Sequence, residues 1–280
     1  MTLIDTHAHL NDPKLSWPLK DVIDRAAAAS VVQCVIPGWD VESSKLAMSF
    51  GMKYPKVCFP AIGIHPQNVV QLGQAATDQL LAEIEILADS SGIVAIGEVG
   101  IDYYHHDRSA TKSVQQTAFV RQIELAKKHQ IPIIIHGREA YDDVLAVMAD
   151  FRGVPAVLHS FEASYEVARK ALNLGLLISL TALITYKNRE WLREVVARLP
   201  LDRLMVETDA PYLPPQRLRD QAPPPKLKTG EIGKHGVNNE PANVVDVAER
   251  LAAIKSTSLE EVAIATTKTA RRFFKLPEAK

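Results

Sequence analysis

Short, almost uninterrupted apolar runs alternate along the chain with longer stretches in which apolar residues recur at helical spacing. Apolar runs of about four to eight residues, bounded by turn residues, are typical of strands that are buried on both faces of a parallel sheet. We predict eight such strands, with approximate bounds 3–9, 31–36, 57–64, 92–98, 131–136, 154–159, 176–180 and 203–209.

Helices are predicted between these strands and after the last one. Their approximate bounds are 18–30, 41–54, 77–90, 113–129, 140–151, 165–174, 189–199, 243–254 and 259–274. Eight strands alternating with helices predict a (β/α)8 TIM barrel of the α/β class, and the length fits a single domain over residues 1–280. A doubly wound open sheet is the alternative, but no Gly-x-Gly-x-x-Gly loop follows the first strand.

Charge and composition restrict the modes of binding. The formal net charge is −1, so no overall field attracts nucleic acid or an anionic membrane, and a polyanionic substrate must be held locally. Aromatic residues make up 6% of the chain, which argues against a large stacking platform for single-stranded nucleic acid. Cys34 and Cys58 lie in apolar runs and are expected to be reduced core residues.

The sequence begins with a strand rather than a signal peptide, and no apolar run reaches membrane-spanning length. We therefore expect a cytoplasmic protein with no membrane partner. A monomer is also expected, although no sequence feature bears on the oligomeric state. The proline-rich stretch 211–240 follows the last strand, so in a barrel it would lie over the mouth. It is either a solvated loop or a basic lip that contacts phosphates, and its basic residues include Arg217, Arg219, Lys226, Lys228 and Lys234.

Histidines and acidic residues recur at the predicted ends of the strands, which is where barrels place their active sites. His7 and His9 are separated by one residue, so their side chains point to the same side of the first strand. The full set of candidates is His7, His9, His65, Glu98, His136, His159 and Asp209.

Divalent metal would account for these residues together, because ionisable groups buried without partners are costly. The donors exceed one tetrahedral site and suit two ions about 3.5–4 Å apart, which lower the pKa of a bound water and clamp the oxygens of a displacement. We assign His7, His9, Glu98 and Asp209 to one ion, and Glu98, His136 and His159 to the other. The ion type stays open among magnesium, manganese and zinc, because histidines and carboxylates favour different metals.

Individual roles follow from this assignment. Glu98 and Asp209 are the predicted catalytic residues, Glu98 as the bridge between the ions and Asp209 as the group that takes a proton from the water. His65 is expected to support a ligand or to contact substrate. Glu207 shares the strand face of Asp209 and is expected to support a ligand, while Asp102 and Tyr103 are expected to line the mouth.

The chain resembles the TatD family of metal-dependent deoxyribonucleases. The motifs that carry the resemblance are Asp5-Thr6-His7-Ala8-His9-Leu10, Gly63-Ile64-His65-Pro66, Gly97-Glu98-Val99-Gly100-Ile101-Asp102-Tyr103, Ile135-His136-Gly137-Arg138, His159-Ser160-Phe161, Glu207-Thr208-Asp209-Ala210-Pro211-Tyr212-Leu213 and Asn239-Glu240-Pro241-Ala242-Asn243-Val244. They occur in order and span about residues 1–275. The resemblance implies an amidohydrolase-like barrel that hydrolyses DNA, often as a 3′→5′ exonuclease, with magnesium or another divalent ion.

The resemblance also implies site residues. The metal ligands carry over to the six residues assigned above, His65 carries over as a phosphate or substrate contact, and Arg138 as a phosphate contact. The chain departs from the family at Gly137, where Ser or Cys is usual, and at Asn238, where Arg is often found. Both departures affect the expected substrate contacts more than the expected metal ligands.

The sequence leaves three alternative functions open. The first is hydrolysis of DNA phosphodiesters. The second is hydrolysis of a small phosphoester, lactone or cyclic amide on the same scaffold, since a fold does not determine its function. Binuclear amidohydrolases of the second kind often bridge their ions with a modified lysine on the fourth strand, and Glu98 in that place favours the first function. The third is a metal-holding protein without enzymatic activity, for which a crowded catalytic rim would not be needed.

Overall fold

Eight strands form one sheet in which each strand lies parallel to its neighbours in sequence. The structure, a computed structural model, describes residues 1–221 and 239–278. The strands, β1 to β8, are Leu3–Asp5, Val31–Pro37, Cys58–Ile62, Ala95–Asp102, Ile133–Arg138, Ala156–Leu158, Leu177–Leu180 and Leu204–Val206.

Helices separate the strands and complete the described part of the chain. They are α1 to α10, Leu19–Ala28, Val41–Lys53, Pro66–Ala88, Arg108–His129, Tyr141–Asp150, Tyr165–Asn173, Glu190–Ala197, Gln216–Arg219, Val244–Lys255 and Leu259–Phe274. Capping boxes at Asp40 and Ser258 begin α2 and α10, because each side chain accepts a hydrogen bond from the backbone N–H three residues later.

The two ends of the sheet meet at a seam between the segments that follow β1 and β8. The backbone N–H of Thr6 donates to the carbonyl of Val206 at 3.2 Å, and that of Asp209 donates to the carbonyl of His7 at 2.9 Å. Ala8 and Ala210 form a parallel bridge farther along the same seam. The predicted (β/α)8 barrel is thus confirmed, and the seam brings the segments after the first and the last strand together at its mouth.

The lower part of the barrel is filled with apolar side chains. Every strand contributes at least one residue to a single buried cluster: Ile4, Val35, Phe59, Ala61, Ala95, Ile134, Val157, Leu177 and Met205. Phe274 and Leu276, at and after the end of α10, pack onto the same cluster. Because this cluster closes the barrel interior from below, polar side chains are left to converge only at its upper end.

Some predicted boundaries are wrong. β4 does not end at Glu98 but continues to Asp102, so Glu98 lies within the strand, where the register with β5 shifts between Ile96 and Val99. α3 begins at Pro66 rather than at about residue 77 and is interrupted at Gly73, whose φ of 73° is left-handed. The missed turn begins with His65 as the N-cap and proline at the first helical position, a recognised helix start.

The structure also bears on the expectations for the cysteines, for membrane-spanning helices and for the basic lip. Cys34 and Cys58 are buried and unbridged, as predicted, although they face each other across β2 and β3. Among the described residues, no helix is long and apolar enough to cross a membrane. Of the predicted basic lip, Lys226, Lys228 and Lys234 lie outside the described residues.

Candidate metal centre

Four side chains from three places in the fold meet at the seam. His7 and His9 follow β1, and their Nε2 atoms lie 3.1 Å apart. Oε2 of Glu98, on β4, lies 3.3 Å from Nε2 of His7 and 3.4 Å from Nε2 of His9. Oδ1 of Asp209, after β8, lies 3.7 Å and 3.4 Å from the same two nitrogens. His7, His9 and Glu98 are buried, and Asp209 is nearly so.

These separations suit one metal ion. Ligand bonds of about 2.0–2.1 Å in tetrahedral geometry place neighbouring donor atoms roughly 3.3 Å apart. The Nε2 atoms of His7 and His9 lie 3.1 Å apart, and each lies 3.3–3.7 Å from an oxygen of Glu98 and an oxygen of Asp209. The same residues that the sequence assigns to the first ion could therefore hold it with little rearrangement.

The other carboxylate oxygen of Glu98 faces a second group of histidines. Oε1 lies 2.8 Å from Nδ1 of His136, 3.4 Å from Nε2 of His159 and 3.5 Å from Nε2 of His65. Glu98 thus directs one oxygen to the seam and the other to β3, β5 and β6. A carboxylate in this position could bridge two ions, as the sequence predicts.

Two of these histidines are held by buried carboxylates. Nδ1 of His159 donates to Oε1 of Glu207 at 2.8 Å, and Nε2 of His136 lies 3.2 Å from Oδ2 of Asp102. Because an ionised carboxylate only accepts, each contact keeps a hydrogen on that ring nitrogen, so the other nitrogen is the one that binds metal once the ring is neutral. These other nitrogens, Nε2 of His159 and Nδ1 of His136, are the ones that face Glu98.

Asp102, which the sequence predicts only to line the mouth, holds the predicted ligand His136. The strand pairing places Gly100 beside His136 and Asp102 beside Arg138, so β4 must continue past Glu98 for the carboxylate to reach the ring. A sequence signal existed, because Gly100, Ile101 and Asp102 continue the apolar run, and Asp102 lies four residues after Glu98 on the same strand face.

His65 differs from the other histidines in its hydrogen bonds. Its Nδ1 accepts the backbone N–H of Gln67 at 3.2 Å, as the N-cap of α3. Burial lowers the pKa of His65, so the ring is neutral and its one hydrogen lies on Nε2, which faces Oε1 of Glu98. An Nε2 that carries a hydrogen donates a hydrogen bond and does not bind metal. By position alone, the ring of His65 could hold a metal ion together with Glu98 and His136.

When no metal is bound, burial and the neighbouring charges shift the pKa values of the centre in opposite directions. Burial disfavours ionisation of Glu98, yet His159, His65 and His136 hold the pKa of its carboxyl well below its usual range. Burial likewise disfavours the charged form of His9, but Asp209 and Glu98 raise its pKa to about 9.

The pKa of His159 is raised to about 10 against the same burial, by the charges of Glu207 and Glu98. Burial, together with the charge on His159, lowers the pKa of His7. The Nδ1 atoms of His7 and His9 are buried and have no hydrogen-bond partner in the described part of the chain. Divalent cations would replace the protons in this carboxylate-rich cluster, so the donor set fits metal.

The loop after β8 is anchored by one buried amide. Nδ2 of Asn239 donates to the carbonyls of Thr208 and Tyr212 at 2.9 and 2.8 Å, and its Oδ1 accepts from Asn243 at 2.9 Å. Glu240 pairs with Arg25 on α1 at 2.5 Å. The Asn-Glu-Pro element is therefore structural here, because it fixes the backbone on either side of Asp209.

The described cations of the predicted basic lip are engaged within the protein. Arg217 pairs with Asp246 on α9 at 2.6 Å, and Arg219 lies 4.0 Å over the ring of Tyr186. Arg138 lies at the end of β5, two residues after His136, with its guanidinium 3.8 Å over the ring of Tyr104. Of these three arginines, only Arg138 follows a predicted ligand on the same strand face.

Comparison with known proteins gives one family. The sequence model of the family described as TatD related DNase matches residues 4–275. The uncharacterized metal-dependent hydrolase YabD of Bacillus subtilis is 37% identical over 276 residues, which is 98% of this chain and 99% of that protein. A Salmonella typhimurium protein named 3′-5′ ssDNA/RNA exonuclease TatD is 31% identical over 277 residues, 98% of this chain and 99% of that protein.

A solved structure agrees with these relatives. The crystal structure of YjjV, a TatD homologue from Escherichia coli K12, matches with a TM-score of 0.85 and 26% identity over 98% of each chain. The family match, the identities over nearly the whole chain and the shared barrel are consistent with the resemblance seen in the sequence motifs. The chain therefore belongs to the TatD-related DNase family and is a metal-dependent hydrolase.

Proposed function

We propose that the protein hydrolyses phosphodiester bonds of DNA and removes nucleotides from the 3′ end. The observation that carries the proposal is the position of Glu98, whose two oxygens face two separate groups of histidines. A bridged pair of divalent ions is suited to a phosphodiester, because both the attacking and the leaving oxygen carry charge. The name of the Salmonella relative supports the same substrate class.

Divalent ions bound by His7, His9, Glu98, His136, His159 and Asp209 would supply a nucleophilic water at neutral pH and would neutralise charge on the phosphate. The residues of the chain then have separate tasks. Asp209, which would bind its ion as the carboxylate, accepts the proton of the attacking water. Nε2–H of His65 and the guanidinium of Arg138 donate to non-bridging phosphate oxygens.

The test uses purified protein stripped of metal and resupplied with magnesium, manganese or zinc. Single-stranded DNA labelled at its 5′ end should shorten stepwise, whereas the same strand labelled at its 3′ end should release a labelled mononucleotide at once. Glu98→Ala should abolish both reactions. Glu194→Ala, which changes an exposed glutamate on α7, is the matched control and should keep them.

A panel of small phosphoesters, lactones and cyclic amides is offered to the same preparations. If a small substrate is hydrolysed and DNA is not cleaved, the nuclease is rejected and the alternative hydrolase is established. Internal cleavage of DNA would reject the exonuclease but keep the phosphodiesterase. Loss of all activity, with metal still bound, would leave the non-enzymatic function.

A further inference from the structure

An exposed tyrosine lies beside an unpaired arginine at the rim of the barrel. Tyr104 follows β4 and keeps 52% of its surface exposed. The guanidinium carbon of Arg138, at the end of β5, lies 3.8 Å from the centre of its ring, and Arg138 itself is exposed. No carboxylate among residues 1–221 and 239–278 forms an ion pair with Arg138. The guanidinium covers one face of the ring, and the rest of the ring and the charged group of Arg138 are exposed to solvent.

Asp102 connects this pair to the metal centre. Oδ1 of Asp102 accepts the backbone N–H of Tyr104 at 2.8 Å, while its Oδ2 lies 3.2 Å from Nε2 of His136. His105 packs edge to face with Tyr104, at 4.8 Å between ring centres, and is held in turn by Gln67 at 2.7 Å. The ring of Tyr104 is thus fixed at the rim, one carboxylate away from a predicted metal ligand.

Other aromatic side chains near the centre differ from Tyr104. Trp39 and Tyr212 are half-buried, and their rings lie 5.3 Å and 6.0 Å from that of His9, so they pack against the centre itself. Tyr212 also donates from its hydroxyl to Asp12 at 2.6 Å. Within residues 1–221 and 239–278 the side chain of Tyr104 makes no hydrogen bond, and exposing an aromatic ring to water is unfavourable without a ligand to cover it.

We propose that Tyr104 and Arg138 form a subsite for one unpaired nucleotide, in which the base stacks on the tyrosine ring and the adjacent phosphate accepts from the guanidinium. The inference rests on the proposed function, in which Arg138 contacts phosphate, and adds a position for the base of the nucleotide. Bases within a duplex are covered on both faces by their neighbours, so only an unpaired or splayed base can reach such a ring. One ring is consistent with the low aromatic content of the chain.

The test compares two oligonucleotides of equal length, oligo-dT and the same strand with abasic tetrahydrofuran residues at its 3′ end. Tyr104→Ala should lower kcat/KM on oligo-dT by about 5- to 150-fold, because stacking of one base is lost. It should leave kcat/KM on the abasic strand unchanged. Tyr104→Phe keeps the ring and should behave as the wild type on both strands.

A second tyrosine–arginine pair serves as the matched control. Arg198, which directly follows α7, lies 3.3 Å over the ring of Tyr165 at the start of α6, and neither residue is at a strand end. Tyr165→Ala should change neither substrate. An equal loss on both strands in Tyr104→Ala, or a loss in Tyr104→Phe as large as that in Tyr104→Ala, would show a structural role and overturn the subsite.

Binding separates this inference from the nuclease. Fluorescence anisotropy of the same two strands, measured with wild type and Tyr104→Ala, does not require turnover. Preference for oligo-dT that disappears in Tyr104→Ala, with no cleavage by the wild type, would support the subsite and reject the nuclease. Cleavage by the wild type without any Tyr104-dependent preference would reject the subsite and keep the nuclease. Neither binding nor cleavage would reject both.

Discussion

Nδ1 of His159 donates to Oε1 of Glu207 at 2.8 Å, and both side chains are buried. The same oxygen of Glu207 also accepts the backbone N–H of Ser160 at 2.7 Å. The carboxylate therefore determines both the tautomer of the ring and the path of the backbone beside it. Since Nε2 of His159 faces Glu98, the contact orients a predicted ligand.

Replacing Glu207 should weaken metal binding without removing a ligand. Glu207→Gln keeps the shape of the side chain and an oxygen that accepts a hydrogen bond. It loses the negative charge that makes His159 a stronger ligand for metal. We expect metal affinity to fall by about 10- to 100-fold, as measured by competition with a chelating dye. Glu194→Gln, on an exposed position of α7, is the control. An unchanged affinity in Glu207→Gln would contradict the assigned role.

Metal binding should release protons at neutral pH. In the metal-free protein the pKa values of His9 and His159 are raised to about 9 and about 10, so both rings are charged at pH 7. A metal ion binds only the neutral ring, so about two protons should leave when both positions fill. Affinity should therefore rise with pH and fall on acidification.

Titration calorimetry in two buffers with different ionisation enthalpies counts the protons released. The count should decrease as the pH is raised through about 9 and 10, where His9 and His159 lose their protons before metal is added. A count of zero at pH 7 would show that these rings are neutral in the metal-free protein.

His65 should matter for turnover and not for metal content. His65→Asn keeps an N-cap acceptor for α3 but removes the Nε2–H that faces the centre. Loss of one hydrogen bond to a charged phosphate, about 1.5–3 kcal/mol, predicts a fall in kcat/KM of roughly 10- to 100-fold. Metal content by elemental analysis should equal that of the wild type, whereas His136→Ala should lose metal. Reduced metal content in His65→Asn would make His65 a ligand.

The amide of Asn239 should contribute to global stability. Asn239→Ala leaves the buried carbonyl of Thr208 and the part-buried carbonyl of Tyr212 without this donor, and an unsatisfied buried group costs about 1–3 kcal/mol. We expect the free energy of unfolding in urea to fall by about 2–4 kcal/mol. Asn188→Ala, at an exposed position, should change it by less than about 0.5 kcal/mol. Equal effects of the two substitutions would argue against the anchoring role.

The alternation of apolar runs with helical stretches was sufficient to predict the barrel, because parallel strands covered on both faces leave few other folds. It also predicted which side chains converge, since barrel sites lie at strand ends. The division of Glu98 between two groups of histidines was predicted from the number of donors alone, and the separation of its two oxygens is consistent with it.

Contacts that depend on register were harder to predict. The contact of Asp102 with His136 requires the extension of β4, which the sequence indicates, and also its register with β5, which no local pattern reveals. The tautomer of His65 follows from a hydrogen bond to Gln67, within a helical turn that apolar periodicity does not mark. The role of Asn239 depends on carbonyls up to 31 residues earlier in the chain.

The seam between β1 and β8 has a consequence for biosynthesis. His9 leaves the ribosome 200 residues before Asp209, whose backbone N–H bonds to the carbonyl of His7. The predicted donor set of the first ion is therefore complete only after β8 has been synthesised and has docked beside β1. We expect metal to bind at this position only after that step, because a nascent chain that stops before β8 carries the histidines without Asp209.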